Sequence, residues 1–206
     1  MSSNLVIIIG ESGMGKSSSI RSLDDSETFL INPLRKRLPF RCANYCAEEK
    51  NYMETESYNE IIAGIRIVNE DRAHVTSIVI DDFSFLMNIE FMNKCLETGF
   101  QKFTNMAKNV FDLMQACRGL REDLDVFLMC HTEQDHAGVL KPKTVGKMTA
   151  DYVGIAERSA VVLHSRVVDE QYCFQTQHNG IHMAKTPMGM FDKLQIENDL
   201  KYVKEK

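Results

Sequence analysis

The sequence lacks any excess of positive charge: 24 Lys and Arg stand against 29 Asp and Glu, for a formal net charge of −5. No global basic field draws this chain to nucleic acid or to an anionic membrane, so any such binding must come from a local patch. It also lacks long apolar runs; the longest falls far short of the ~20 residues that a membrane helix needs. A disulfide framework is missing. Of the six cysteines (Cys42, Cys46, Cys95, Cys117, Cys130 and Cys173), four sit inside apolar helix or strand patterns, which fits thiols in a reducing cytoplasm. Cys42 and Cys46 have the spacing of half a zinc site, but no second Cys/His pair at finger spacing follows, and buried or idle thiols are the simpler reading. His74, His136, His164, His178 and His182 form no metal-ligand spacing. There is no internal repeat and no low-complexity segment. A strand expected from Asn4 onward leaves no room for a signal peptide.

What is present is an alternation of strands and helices. A length of 206 residues with 44% apolar side chains fits one domain with a proper core. Leu5–Ile9 is a continuous β-branched run, the mark of a strand buried on both faces. Phe29–Ile31, Ile78–Ile80, Val126–Cys130 and Ala160–Leu163 read as further strands. A short helix is expected over about Lys16–Leu23 and another over Tyr58–Val68. Ile89–Cys117 is helical by its three-to-four spacing of apolar residues, including Met92, Leu96, Phe103, Met106 and Val110. Gly99 divides it in two, and its Met/Phe stripe reads as core. Leu34–Asn51 is expected to be irregular, and His131–Lys147 to be a long polar surface loop of the functional kind. Tyr172–Gln177 alternates as a strand does, and His178-Asn179-Gly180 supplies a hairpin turn. The charged tail from about residue 193 is expected to be peripheral. The pattern predicts an α/β fold: a largely parallel central sheet, helices on both faces and an added C-terminal hairpin, in a single domain over 1–206.

Gly10-Glu11-Ser12-Gly13-Met14-Gly15-Lys16-Ser17 fits the phosphate-binding loop pattern G-x-x-x-x-G-K-[ST] at every position, between a buried strand and a helix. Gly10, Gly13 and Gly15 permit a turn with positive φ and close approach to an anion. Successive N–H groups, through Ser18, then point inward at the positive end of the helix dipole. Lys16 would reach the β- and γ-phosphates, and the Ser17 hydroxyl would ligate Mg²⁺. Asp81, ending a buried strand, is the matching carboxylate for the Mg²⁺ shell. Asp82 would orient the attacking water or, equally, cap the next helix. His131 follows another buried strand, where a polar side chain would sense the γ-phosphate or simply bond loop backbone. No guanine-reading Asn/Thr-Lys-x-Asp motif occurs, so ATP is the expected nucleotide.

These motifs, with Leu38-Pro39-Phe40, Val145-Gly146-Lys147 and Lys185-Thr186-Pro187-Met188-Gly189-Met190-Phe191, resemble phage-encoded RecA-like ATPases of the Sak single-strand annealing type over nearly the whole chain. The resemblance implies a RecA-like P-loop core in the bacterial host cytoplasm. It implies binding of Mg²⁺ and ATP, hydrolysis to ADP and phosphate stimulated by single-stranded DNA, and a part in phage recombination. It also implies that Val126–Cys130 lies between the P-loop strand and the Ile78–Ile80 strand. Rings or filaments follow from the same resemblance, with Lys185 reaching the ATP of a neighbour, and a phage single-strand-binding protein is an implied partner. One departure stands out. RecA carries a glutamate shortly after its second core strand, and this chain has Asn32-Pro33-Leu34-Arg35 there. Asp82 or Glu11 must then activate water, or hydrolysis is slow.

The loop Glu133–Lys147 occupies the place of a DNA-binding loop in RecA cores, so Lys141, Lys143 and Lys147 are the candidate phosphate contacts. The loop itself has no aromatic residue for base stacking. Arg35-Lys36-Arg37 is a second candidate patch. Two other functions compete: a slow ATP-dependent switch that recruits a partner protein, and a small-molecule kinase. The kinase reading is weakened by the absence of arginine from the long loop.

Overall fold

The computed structural model describes residues 4–41, 44–46 and 49–206. Among these residues, ten strands and four α-helices follow in order: β1 (Leu5–Ile9), β2 (Thr28–Ile31), β3 (Tyr52–Met53), α1 (Tyr58–Asp71), β4 (Ser77–Ile80), α2 (Phe83–Asn93), α3 (Gln101–Arg118), β5 (Asp125–Cys130), β6 (Thr132–Gln134), β7 (Leu140–Pro142), β8 (Val161–Val168), β9 (Gln171–Gln175), β10 (Gln195–Glu197) and α4 (Leu200–Lys204). Eight strands make one sheet in the order β10-β9-β8-β1-β5-β4-β2-β3. Pairing is parallel from β8 to β3 and antiparallel for β8–β9 and β9–β10. The fold is thus mixed α/β with a mostly parallel sheet. β5 lies between β1 and β4, where the resemblance placed it.

Alternation along the buried strands divides the core in two. Leu5, Ile7 and Ile9 point to one face, with Ile78, Ile80, Val126 and Leu128, and are covered by α1, α2 and α3. Val6 and Ile8 point to the other, with Val79, Phe127, Met129 and Leu163. That second face corrects two expectations. Among the described residues it has no long helix: its cover is the 3-10 helix Ser17–Ser22, the five-residue α4 and irregular segments bearing Leu38, Phe40, Met190 and Phe191. The tail beyond residue 193 is part of the cover and not peripheral, because β10 extends the sheet and Ile196, Leu200 and Val203 are buried.

Other boundaries move for local reasons. α2 starts at Phe83, and Gly99, at φ +86°, separates it from α3 as expected. Met106 and Val110 are core, whereas Met92 and Leu96 lie exposed near the junction of the two helices. The region 131–147 is not an open loop. β6 and β7 form a small antiparallel hairpin, and the Asp135 carboxylate accepts from the N–H groups of Ala137 and Val139 to shape its turn. The edge hairpin turns at Asp169-Glu170 instead of Asn179-Gly180. Both turn residues take positive φ (48° and 63°), as a two-residue type I′ turn requires. Asn179-Gly180 leads instead into Ile181–Met183, whose backbone bonds Leu140 of β7. Among the described residues no helix is long and apolar enough to cross a membrane.

Candidate active site

Because β1, β2, β4 and β5 are parallel, their carboxyl ends emerge at one edge of the sheet, the usual place for a ligand crevice. Four chain segments meet there. The glycine turn after β1 takes φ +80° at Gly13 and +90° at Gly15. A Cβ on Gly15 would stand 2.6 Å from the Tyr172 ring, so close packing as well as φ demands glycine. The helix that follows is a six-residue 3-10 turn, which leaves little helix dipole behind the loop. Anion attraction must therefore come from the turn's N–H groups and from Lys16.

Lys16 is buried, and its ammonium donates to the carbonyls of Gly10 and Glu11, each at 2.8 Å. Burial lowers its pKa from the ordinary value, against the opposing charges of Asp82 and Asp81. The Ser17 hydroxyl donates to Asp81 Oδ1 at 2.8 Å. Burial, then the charge of Asp82, pushes the Asp81 carboxyl up to about 6, against the bonds from Ser17 and the Asp82 N–H. A buried carboxylate short of positive charge beside a hydroxyl is a hard-oxygen donor pair suited to Mg²⁺, which keeps several waters and needs no all-protein cage. Among the described residues no three His, Cys, Asp or Glu side chains gather as a cage. Cys42 lies outside the described residues, so the Cys42–Cys46 spacing stays a feature of the sequence alone.

Asp82 takes a left-handed backbone conformation (φ 53°), and its side chain makes no cap to α2. The capping alternative is thereby excluded. Its carboxylate is instead held between two side chains: Lys36 Nζ at 2.8 Å from Oδ2 and His131 Nε2 at 3.0 Å from Oδ1. Burial alone would raise the Asp82 carboxyl, but the hydrogen bonds from His131 and Lys36 and their charges bring it below the usual range. The His131 ring stands edge-on to Phe85 at 5.0 Å, and the backbone N–H of His131 donates to Ser84 Oγ at 3.1 Å. Lys36 Nζ also lies over the Phe85 ring, 5.0 Å from its centroid.

No protein-family model matches the chain, and no curated protein matches it. The chemistry of the site therefore rests on its geometry.

Ser12, Gly13, Gly15, Lys16, Ser17 and Ser18 line one cleft of about 270 Å³ together with Asp81, Asp82 and His131. Gly10 and Glu11 enter through their carbonyls on Lys16. The Met14 carbonyl accepts from Ser165 Oγ at 2.6 Å, bracing the turn from β8. The Glu11 side chain is exposed and does not line the cleft. Neither does Lys185, whose backbone pairs with Val162 on β8. Lys141, Lys143 and Lys147 belong to the β6–β7 region away from the cleft wall, and Lys141 pairs with Glu133 at 3.7 Å.

Lys36, Arg37, Pro39 and Tyr172 are the additions that sequence reading did not place in the cleft. A signal for the first two was available: they follow β2, whose carboxyl end opens on the same edge.

Proposed function

We propose that this chain is a RecA-like P-loop ATPase that binds Mg²⁺ and ATP and acts on single-stranded DNA in phage recombination. The observation that carries the nucleotide reading is the juxtaposition of Lys16, beneath a positive-φ glycine turn, with the Ser17–Asp81 pair at 2.8 Å. The position of β5 between β1 and β4 supports the RecA-like arrangement. Lys16 would neutralise the β- and γ-phosphate oxygens. Ser17 and, through water, Asp81 would hold Mg²⁺, which supplies charge neutralisation at the transferred phosphoryl group. Asp82, with His131 bonded to it, is the carboxylate placed to orient the attacking water. Glu11 is the weaker choice, since its side chain is outside the cleft. Rings or filaments, Lys185 reaching a neighbour's ATP, and a phage single-strand-binding protein as partner belong to the same proposal, as does the host cytoplasm.

One observation favours a second reading, the slow ATP-dependent switch: Asp82 is tied by both Lys36 and His131, which restrains it from serving water. The test is phosphate release from Mg-ATP with and without single-stranded DNA, with Lys16→Ala as the blank. The expected outcome is DNA-stimulated release that vanishes in the variant. Turnover indifferent to DNA selects the switch, and a phosphorylated small molecule without free phosphate selects a kinase.

A further inference from the structure

The segment after β2 builds a second cleft, of about 690 Å³, against the phosphate cleft. Its rim carries the exposed cations Arg35, Lys36, Arg37 and Arg41. Its floor is aromatic: Phe40, Tyr45 and Tyr52 line it while packing against the second-face core. Among the described residues Glu54 is the one acid lining it, and Glu54 accepts the Tyr52 hydroxyl at 2.8 Å. The loop is held in shape by the buried Asn32. Its amide donates to the Lys36 carbonyl at 2.7 Å and to Tyr52 Oη at 2.8 Å, and its own N–H bonds Met53. Cations above aromatic rings are the two components that single-strand binding needs, phosphate attraction and base stacking. The β6–β7 hairpin offers only the first.

Lys36 and Arg37 line both clefts. Lys36 is half exposed, and its ammonium sits on the catalytic candidate Asp82. A phosphodiester arriving in the second cleft competes for that ammonium.

We propose that single-stranded nucleic acid lies in the Arg35–Arg41 cleft, and that its phosphate draws Lys36 off Asp82, freeing the carboxylate for water. The proposal rests on the ATPase reading above and adds to it where the strand binds and how binding is transmitted. DNA dependence then arises within one subunit, from one lysine shared by two anions.

The test uses the whole chain and fluorescein-labelled oligo(dT), read by anisotropy across a salt series, beside Mg-ATP turnover. Three variants are compared: Arg35→Ala/Arg41→Ala, Lys141→Ala/Lys143→Ala/Lys147→Ala, and Lys36→Met. Thermal melts establish that each is folded. The expected result is a several-fold loss of oligo(dT) affinity in the arginine variant. The slope of log K against log salt should fall by about 1.4, at about 0.7 per lost phosphate contact. Lys36→Met should hydrolyse ATP without any response to oligo(dT). If the arginine variant binds as the wild type does while the lysine variant does not, the cleft is overturned and the ATPase reading stands. If the arginine variant loses Mg-ATP affinity but keeps oligo(dT), the cleft holds part of the nucleotide and the proposal fails. Continued stimulation of Lys36→Met by oligo(dT) overturns the coupling. A wild type that binds Mg-ATP but no oligo(dT) overturns the inference and the DNA half of the function together.

Discussion

Asp82 concentrates the proposed chemistry of this molecule at the scale of one residue. Its left-handed backbone turns the carboxylate away from the α2 N-terminus and into the cleft, a conformation that Asp tolerates better than most side chains. Replacing it by Asn keeps the size and a hydrogen-bonding tip but removes the charge. Asp82→Asn should leave Mg-ATP binding within a few-fold of wild type and lower turnover by about a hundredfold, at the lower end of what general base catalysis contributes. Asp81→Asn should instead weaken Mg²⁺-dependent binding, and titrating Mg²⁺ against both variants separates the roles. His164 makes a second prediction. Its ring lies 4.4 Å from that of His182. Burial, then the charges of His182 and Arg166, pushes its pKa down to about 4 from an ordinary 6.5. The unfolded chain therefore takes up the proton first. Stability is full above about pH 6.5, is lost as pH falls towards about 4, and changes no further below it through this group. The urea midpoint of the wild type should drop between neutral pH and about pH 5, and His164→Leu should show a smaller drop. Residues of the glycine turn and the strand-ending Asp81, Asp82 and His131 were legible in sequence because their spacing is local. Lys36 was legible only as part of a basic run after β2; its pairing with Asp82, 46 positions away, was not, because only the fold joins them.

At the scale of elements, legibility followed burial. β1, β2, β4 and β5 announce themselves as continuous apolar runs because both faces of each are covered. β3, β6, β7 and β10 are two or three residues long, too short for any periodicity to register. The misplaced hairpin turn has a clearer cause. Asn179-Gly180 is the stronger turn signal, but the register of β8 with β9 pairs Val168 with Gln171 and forces Asp169-Glu170 into the reversal. Glu170 thus holds φ 63° without being glycine, in a region that costs an L-residue roughly 1–2 kcal/mol. Glu170→Gly should therefore stabilise the fold by about 0.5–1 kcal/mol, part of the relief being offset by the greater freedom of glycine in the unfolded chain. A rise in the urea midpoint at unchanged slope would register it. A fall would mean that Glu170 makes an interaction worth more than its strain.

At the scale of the whole molecule, the sheet is covered unequally. Three long helices bury one face, and the other depends on short pieces gathered from distant parts of the chain. The C-terminal segment matters most among these, because it both closes the core and touches the site. Leu200 is fully buried, and Asp199 caps α4 by accepting from the Tyr202 N–H at 3.0 Å. Asn198, also buried, donates to Ser165 Oγ at 3.3 Å and accepts from Arg21 at 3.3 Å. Ser165 in turn bonds the Met14 carbonyl of the glycine turn. Loss of the segment should therefore act twice. Leu200→Ala should cost about 2–4 kcal/mol, the usual range for a buried leucine whose site cannot fully collapse, and should leave the Asn198 contacts in place. Asn198→Ala should cost less stability but loosen the turn, weakening Mg-ATP binding more than Leu200→Ala does. Urea midpoints and nucleotide titrations on the two variants give four numbers in which the two roles cross. If both variants lower stability and affinity in the same proportion, the segment is cover alone. If neither moves the midpoint, the buried segment adds nothing measurable to stability.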